Sequence, residues 1–67
     1  MYQYRKIKAR ILEKYETRDR FAAALDISKV ALSRKLNNKA QFRQSDIVTW
    51  ARLLEIPVEK YGEYFFQ

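Results

Sequence analysis

Residues 17–39, TRDRFAAALDISKVALSRKLNNK, constrain the fold of this chain more than any other stretch. Thr17 can cap a helix running from Arg18 to Leu25, in which Phe21, Ala22 and Leu25 form an apolar stripe and Ala23 and Ala24 raise intrinsic helicity. Asp26 and Ile27 leave room only for a tight turn. Ser28 then offers its hydroxyl to the first free N–H groups of a further helix, Lys29 to Leu36, with Leu32 and Leu36 as its core contacts. The pattern predicts two helices of about two turns each, joined by a turn.

The flanking sequence supplies the packing partners. Tyr4, Ile7, Ile11, Leu12 and Tyr15 recur at helical spacing and predict one amphipathic helix, with Arg5, Lys6, Lys8, Arg10 and Lys14 on its other faces. Residues Asn37 to Gln44 have no helical period and open with two asparagines that tolerate left-handed backbone, so they predict a loop; it carries Lys39 and Arg43. Ser45 and Asp46 begin another helix with Ile47, Trp50, Ala51 and Leu54 inward, and Pro57 stops it at about Glu55. This spacing makes Trp50 a core residue rather than a stacking platform. A short last helix from Val58 ends near Gly62, leaving EYFFQ apolar and exposed by position. No period-2 segment, repeat or linker interrupts the pattern. The expectation is one all-α domain over residues 1–67, a compact four- to five-helix bundle.

Composition narrows the function. A chain of 67 residues buries about 60% of the surface its unfolded form exposes, and its core seldom supplies more than about 3–5 kcal/mol, so a domain of this size often adds a staple or a partner. Cysteine is absent, which rules out a disulfide staple and fits a reducing cytosol. Histidine is absent too, which removes the main ligands and nucleophiles of zinc, haem and thiol chemistry; no metal, cofactor or catalytic residue is expected. A single glycine cannot build a phosphate-cradling loop, and Glu13 with Glu16, or Glu59 with Glu63, sit at helical surface spacings that suit solvated ion pairs. No apolar run approaches the roughly 20 residues that span a bilayer, and MYQYRKIKAR lacks the apolar centre of a signal peptide, so a cytoplasmic location is expected. A basic amphipathic helix lying on a membrane is suggested only by residues 4–15, whose apolar stripe is needed for the core.

The net charge of +6 is unevenly placed. Residues 1–44 hold twelve Lys or Arg against four acids, whereas residues 45–67 hold two against four. That asymmetry predicts a positive surface that attracts polyanions. At 100° per residue, Lys29, Val30, Ser33, Arg34 and Asn37 fall within an arc of about 140°, with Leu32 and Leu36 outside it. Arg and Lys can bond guanine O6 and N7, Ser can donate or accept, and Val30 can touch a thymine methyl, so this face has the chemistry of a major-groove reader. The alternative is the solvated side of a short core helix.

The string R-x-x-F-A-x-x-L-D-I-S-x-x-x-L-S-R-x-L-N-N-K, from Arg18 to Lys39, resembles the Cro and repressor class of phage helix-turn-helix proteins. Ala22 suits that family's close helix crossing, Ile27 its turn plug, and LSRKLNNK its recognition helix and exit; LLEIPV continues as those five-helix domains do. The aromatic YFF end is similar to small regulators from Gram-positive prophages. Two positions depart from the pattern: Asp26 stands where Gly is usual, and Lys35 where the family is often apolar, with Leu36 taking over the packing.

The resemblance implies a regulator in a bacterial host's cytoplasm that represses by occupying a double-stranded DNA operator. Lys29, Val30, Ser33 and Arg34 would read bases, while Thr17, Arg18, Ser28, Asn37, Asn38, Lys39 and Arg43 would hold phosphates. It also implies a homodimer on a two-fold operator. Tyr61, Tyr64, Phe65 and Phe66 are too aromatic for a free tail and have three uses open to them: folding back on the core, pairing two subunits, or binding another protein. The alternative function on the same fold is an antirepressor that grips a phage repressor protein.

Overall fold

The computed structural model describes residues 2–67 as five α-helices, with no strand among the described residues: α1 Arg5–Tyr15, α2 Arg18–Leu25, α3 Lys29–Leu36, α4 Gln44–Leu54 and α5 Tyr61–Phe65. A single 3-10 turn, Val58–Lys60, leads into α5. α1 packs on α2, α4 and α5, α2 packs on α3, and α4 on α5. The radius of gyration is 10.7 Å, close to the roughly 11 Å of a fully collapsed chain this long.

Local chemistry accounts for the helix ends. The Thr17 hydroxyl accepts from the Arg20 N–H at 3.2 Å and the Ser28 hydroxyl from the Ala31 N–H at 3.1 Å, so both caps form as the sequence indicates. Asp26 closes α2 in the left-handed region at φ 59°, the conformation for which Gly is usual, and the Ile27 N–H returns to the Ala22 carbonyl at 3.0 Å. Glu55 closes α4 in the same way at φ 57°. α4 starts at Gln44, earlier than Ser45, because the Asp46 carboxylate reaches back to accept the Arg43 N–H at 3.0 Å.

The core draws on every helix. Ile7 and Ile11 of α1, Phe21 and Ala22 of α2, Leu32 and Leu36 of α3, Trp50, Ala51 and Leu54 of α4, and Phe65 of α5 are buried, together with Tyr4 and Ile56. Trp50 meets Phe21 edge-on at 5.1 Å and Phe42 edge-on at 4.7 Å. Leu12 departs from expectation: it is 52% exposed, because the buried stripe of α1 is centred on Ile11 and Leu12 lies about 100° round from it.

The C-terminal residues require a larger correction. The last helix does not end near Gly62 but runs to Phe65, which is 1% exposed and packs edge-on against Phe42 at 5.6 Å and Tyr61 at 6.0 Å. Tyr61 and Tyr64 are half-buried against the same core, and Phe66 alone of the four remains exposed. The aromatic end folds back. Gly62 does not break the helix, since its φ is not positive, and a methyl group in place of its hydrogen would meet nothing within 4 Å.

Two substitutions in α5 should therefore act oppositely in urea denaturation. Phe65→Ala should cost about 3–5 kcal/mol, a large part of the stability of so small a domain. Gly62→Ala should add about 0.4–1 kcal/mol by restricting the unfolded chain and improving helix propensity. A stabilising Phe65→Ala, or a strongly destabilising Gly62→Ala, would contradict this placement of α5.

Candidate nucleic-acid interface

α2 and α3 form the helix-turn-helix arrangement, and burial of Leu32 and Leu36 turns the opposite face of α3 outward. On that face Lys29, Val30, Arg34 and Asn37 are exposed and Ser33 is half-buried. Val30 is 68% exposed, an apolar side chain with no core to fill. The Asn37 amide donates to the Ser33 hydroxyl at 3.1 Å and steadies it. Lys29 pairs with Asp19 in the first turn of α2 at 3.3 Å, with both groups well exposed, a contact weak enough to exchange for another anion.

Thr17, Arg18, Ser28, Lys39 and Arg43 are also exposed. As caps, Thr17 and Ser28 use their oxygens to accept backbone N–H groups, which leaves each hydroxyl proton able to donate outward. Arg43 stands at the N-terminus of α4 and Arg18 at that of α2, where the helix dipoles favour anions. Asn38 differs from expectation. It is half-buried in the left-handed region at φ 59°, and its amide donates to the Tyr2 carbonyl, so its side chain faces the protein rather than a ligand.

Ion pairing separates two classes of cation. Lys6 and Lys60 pair with Glu63, Arg10 with Glu13 and Lys14 with Glu55, which neutralises much of α1 and α5. Arg20 pairs with Glu16 at 2.8 Å. Among the described residues, Arg18, Arg34, Lys39 and Arg43 have no carboxylate within ion-pair distance, and neither do Arg5 and Lys8 of α1 or Arg52 of α4. Four of these seven unpaired cations lie on α2, α3 and the α3–α4 loop, where they can attract a polyanion.

Lys35 and Asp46 organise this loop, and neither was legible as a site residue. The Lys35 ammonium donates to Asp46 at 3.1 Å and to the Gln41 carbonyl at 3.2 Å, and lies 5.6 Å from the centre of the Phe42 ring. Burial works to raise the pKa of Asp46, but the Arg43 N–H and the Lys35 charge outweigh it and hold the carboxyl below its ordinary value. Asp46 stands at the start of α4, as the sequence indicates, but its bonds to Arg43 and Lys35 also tie it to the loop; an acid three residues after Arg43 was the available signal.

A family model described as "Protein of unknown function (DUF739)" matches residues 1–67. The chain belongs to this family. No curated protein matches the sequence. Within this DUF739 domain, Phe65 is withdrawn from the set of residues expected to pair two subunits because it is buried, and Tyr64 is covered by the Arg10 guanidinium at 5.7 Å. No helix among the described residues is long and apolar enough to cross a membrane.

The depressed Asp46 pKa fixes the sign of a pH effect. A carboxyl whose folded pKa lies below its unfolded value of about 3.9 stabilises the fold above that pH, and the contribution is lost as pH falls through the folded value. Asp46→Asn should therefore be less stable than the parent at pH 7, with the difference shrinking below about pH 4. Urea midpoints of both proteins between pH 7 and pH 2 test this; a gap that stays constant or widens on acidification would assign Asp46 no ionic role.

Proposed function

We propose that the chain is a sequence-specific double-stranded DNA-binding transcriptional regulator of the phage Cro type, which represses by occupying an operator. The observation that carries this reading is the outward face of α3, where Lys29, Val30, Ser33 and Arg34 stand clear of the core. Arg34 is long enough to bond guanine O6 and N7 together, and Val30 can pack on a thymine methyl. Thr17, Arg18, Ser28 and Asn37 flank that face from the helix-turn-helix, and Lys39 and Arg43 from the loop. Their role is to hold the sugar–phosphate backbone and set the register of α3 in the major groove. Likeness to the Cro and repressor class supports the same reading.

The favoured second reading is an antirepressor that grips a phage repressor protein, to which the exposed Val30 would lend an apolar contact. A homodimer suits either reading. With Phe65 buried, Phe66 at 50% exposure and Tyr2 at 42% are the aromatic surface left for pairing two copies. Sedimentation should show a dimer, free or on a two-half-site duplex, that Phe66→Asp converts to monomer without loss of helicity; a wild-type protein that stays monomeric in both states removes the dimer.

Arg34→Ala should cost about 1–3 kcal/mol on the preferred operator and relax preference at one base pair, whereas Arg43→Ala should weaken preferred and random duplexes nearly alike. Each lost phosphate contact should flatten the logarithmic salt dependence by about 0.9. Duplex titrations at several salt concentrations measure both effects. Absence of wild-type duplex binding at low salt would overturn the DNA-binding reading and put the antirepressor reading first.

A further inference from the structure

The α3–α4 loop, residues 37–43, carries Lys39 and Arg43 and has no repeating backbone structure of its own. Its position is set from outside. On the helix side, the Lys39 N–H returns to the Arg34 carbonyl at 2.7 Å, Lys35 holds the Gln41 carbonyl, and Asp46 holds the Arg43 N–H. On the opposite side the chain ends hold it: Asn38 donates to the Tyr2 carbonyl, and the Phe42 ring lies edge-on to Tyr4 at 5.3 Å and Phe65 at 5.6 Å.

The two ends are themselves joined. The Gln3 and Tyr4 N–H groups both donate to the Gln67 carbonyl, at 3.1 and 3.0 Å, and the Tyr2 ring packs against Phe66 at 5.9 Å and Tyr4 at 5.8 Å. Tyr4 is held in the left-handed region at φ 56°, a conformation that costs a bulky residue energy and that these contacts over-determine. The segment before α1 is thus a strap from the C-terminal aromatics to the loop, not a loose lead-in.

We propose that Tyr2 is a positioning residue for nucleic-acid binding: with Phe66 and the Gln67 carbonyl it fixes residues 2–4, and through Asn38 and Phe42 these hold Lys39 and Arg43 at a set distance from the outer face of α3. Tyr2 touches no ligand in this arrangement. Its effect passes through the loop, so it belongs with the backbone contacts and not with base readout. The inference rests on the reading of Lys39 and Arg43 as phosphate contacts.

Tyr2→Ala removes the ring from Phe66 and Tyr4 and leaves the fully buried core intact. It should weaken binding to preferred and random duplexes alike, about 2- to 150-fold, the range expected for residues coupled through shared contacts. The salt slope should flatten by about 0.9 to 1.8, and Tyr2→Phe should restore both. In the Lys39→Ala/Arg43→Ala background, Tyr2→Ala should have almost no further effect. An equal loss in both backgrounds would mean that Tyr2 acts on general stability or on pairing of two copies, and would overturn the proposal, as would wild-type affinity in Tyr2→Ala.

Amide hydrogen exchange reads the strap without DNA. The Lys39 and Arg43 N–H groups should exchange faster in Tyr2→Ala than in the parent while those of α4 keep their protection. Faster exchange together with a wild-type protein that binds no duplex would retain the strap and refute the DNA-binding reading; unchanged exchange would refute the strap itself.

Discussion

Edge-on packing of Trp50 between Phe21 and Phe42 is the contact on which the remaining arrangement depends. A fully buried indole fills the space where α2, α4 and the α3–α4 loop converge, and each neighbouring ring presents its positive edge to a negative face or the reverse. Phe21 fixes α2 against α4, so α3 projects from a rigid support. Phe42 carries the same constraint into the loop, and Phe65 closes it from α5. In a chain with no disulfide and few helical turns, this aromatic centre replaces the covalent staple on which small domains often rely.

Electrostatics is layered on this scaffold by pairing rather than by composition alone. The acids of α1, α5 and the end of α4 pair with Lys6, Arg10, Lys14 and Lys60, whereas Arg18, Arg34, Lys39 and Arg43, like Arg5, Lys8 and Arg52, have no ion-pair partner among the described residues. Exposed pairs of this kind contribute little stability. The unpaired cations of α2, α3 and the α3–α4 loop are the ones that the proposed DNA-binding role uses.

Much of the fold was legible from local rules. Thr17 and Ser28 cap the helices they precede, Asp26 takes the left-handed turn, and Trp50 is buried, because each depends on spacing and on groups only a few residues apart. Leu12 was misread because an apolar residue at the edge of a helical stripe has no local signal that says whether a neighbour covers it. The aromatic end was misread for a related reason. Gly62 resembles a helix terminator in sequence, yet the burial available to Phe65 across α4 and the loop exceeds the cost of a glycine inside α5. On α3, the outward residues follow from helical periodicity; the loss of Asn38 to the Tyr2 carbonyl does not.

By itself the sequence determined the helical class, the two short helices and their caps, the outward face of α3 and the excess of positive charge toward its first two thirds. These are consequences of periodicity, capping chemistry and composition, all of which act over a few residues or none. Only the tertiary structure decided that the chain ends meet at the Gln67 carbonyl, that Lys35 and Asp46 lock the α3–α4 loop, and which cations are left without partners. Those outcomes join residues as many as 64 positions apart, from Gln3 to Gln67, and a contact of that separation exists only once every intervening helix has been placed.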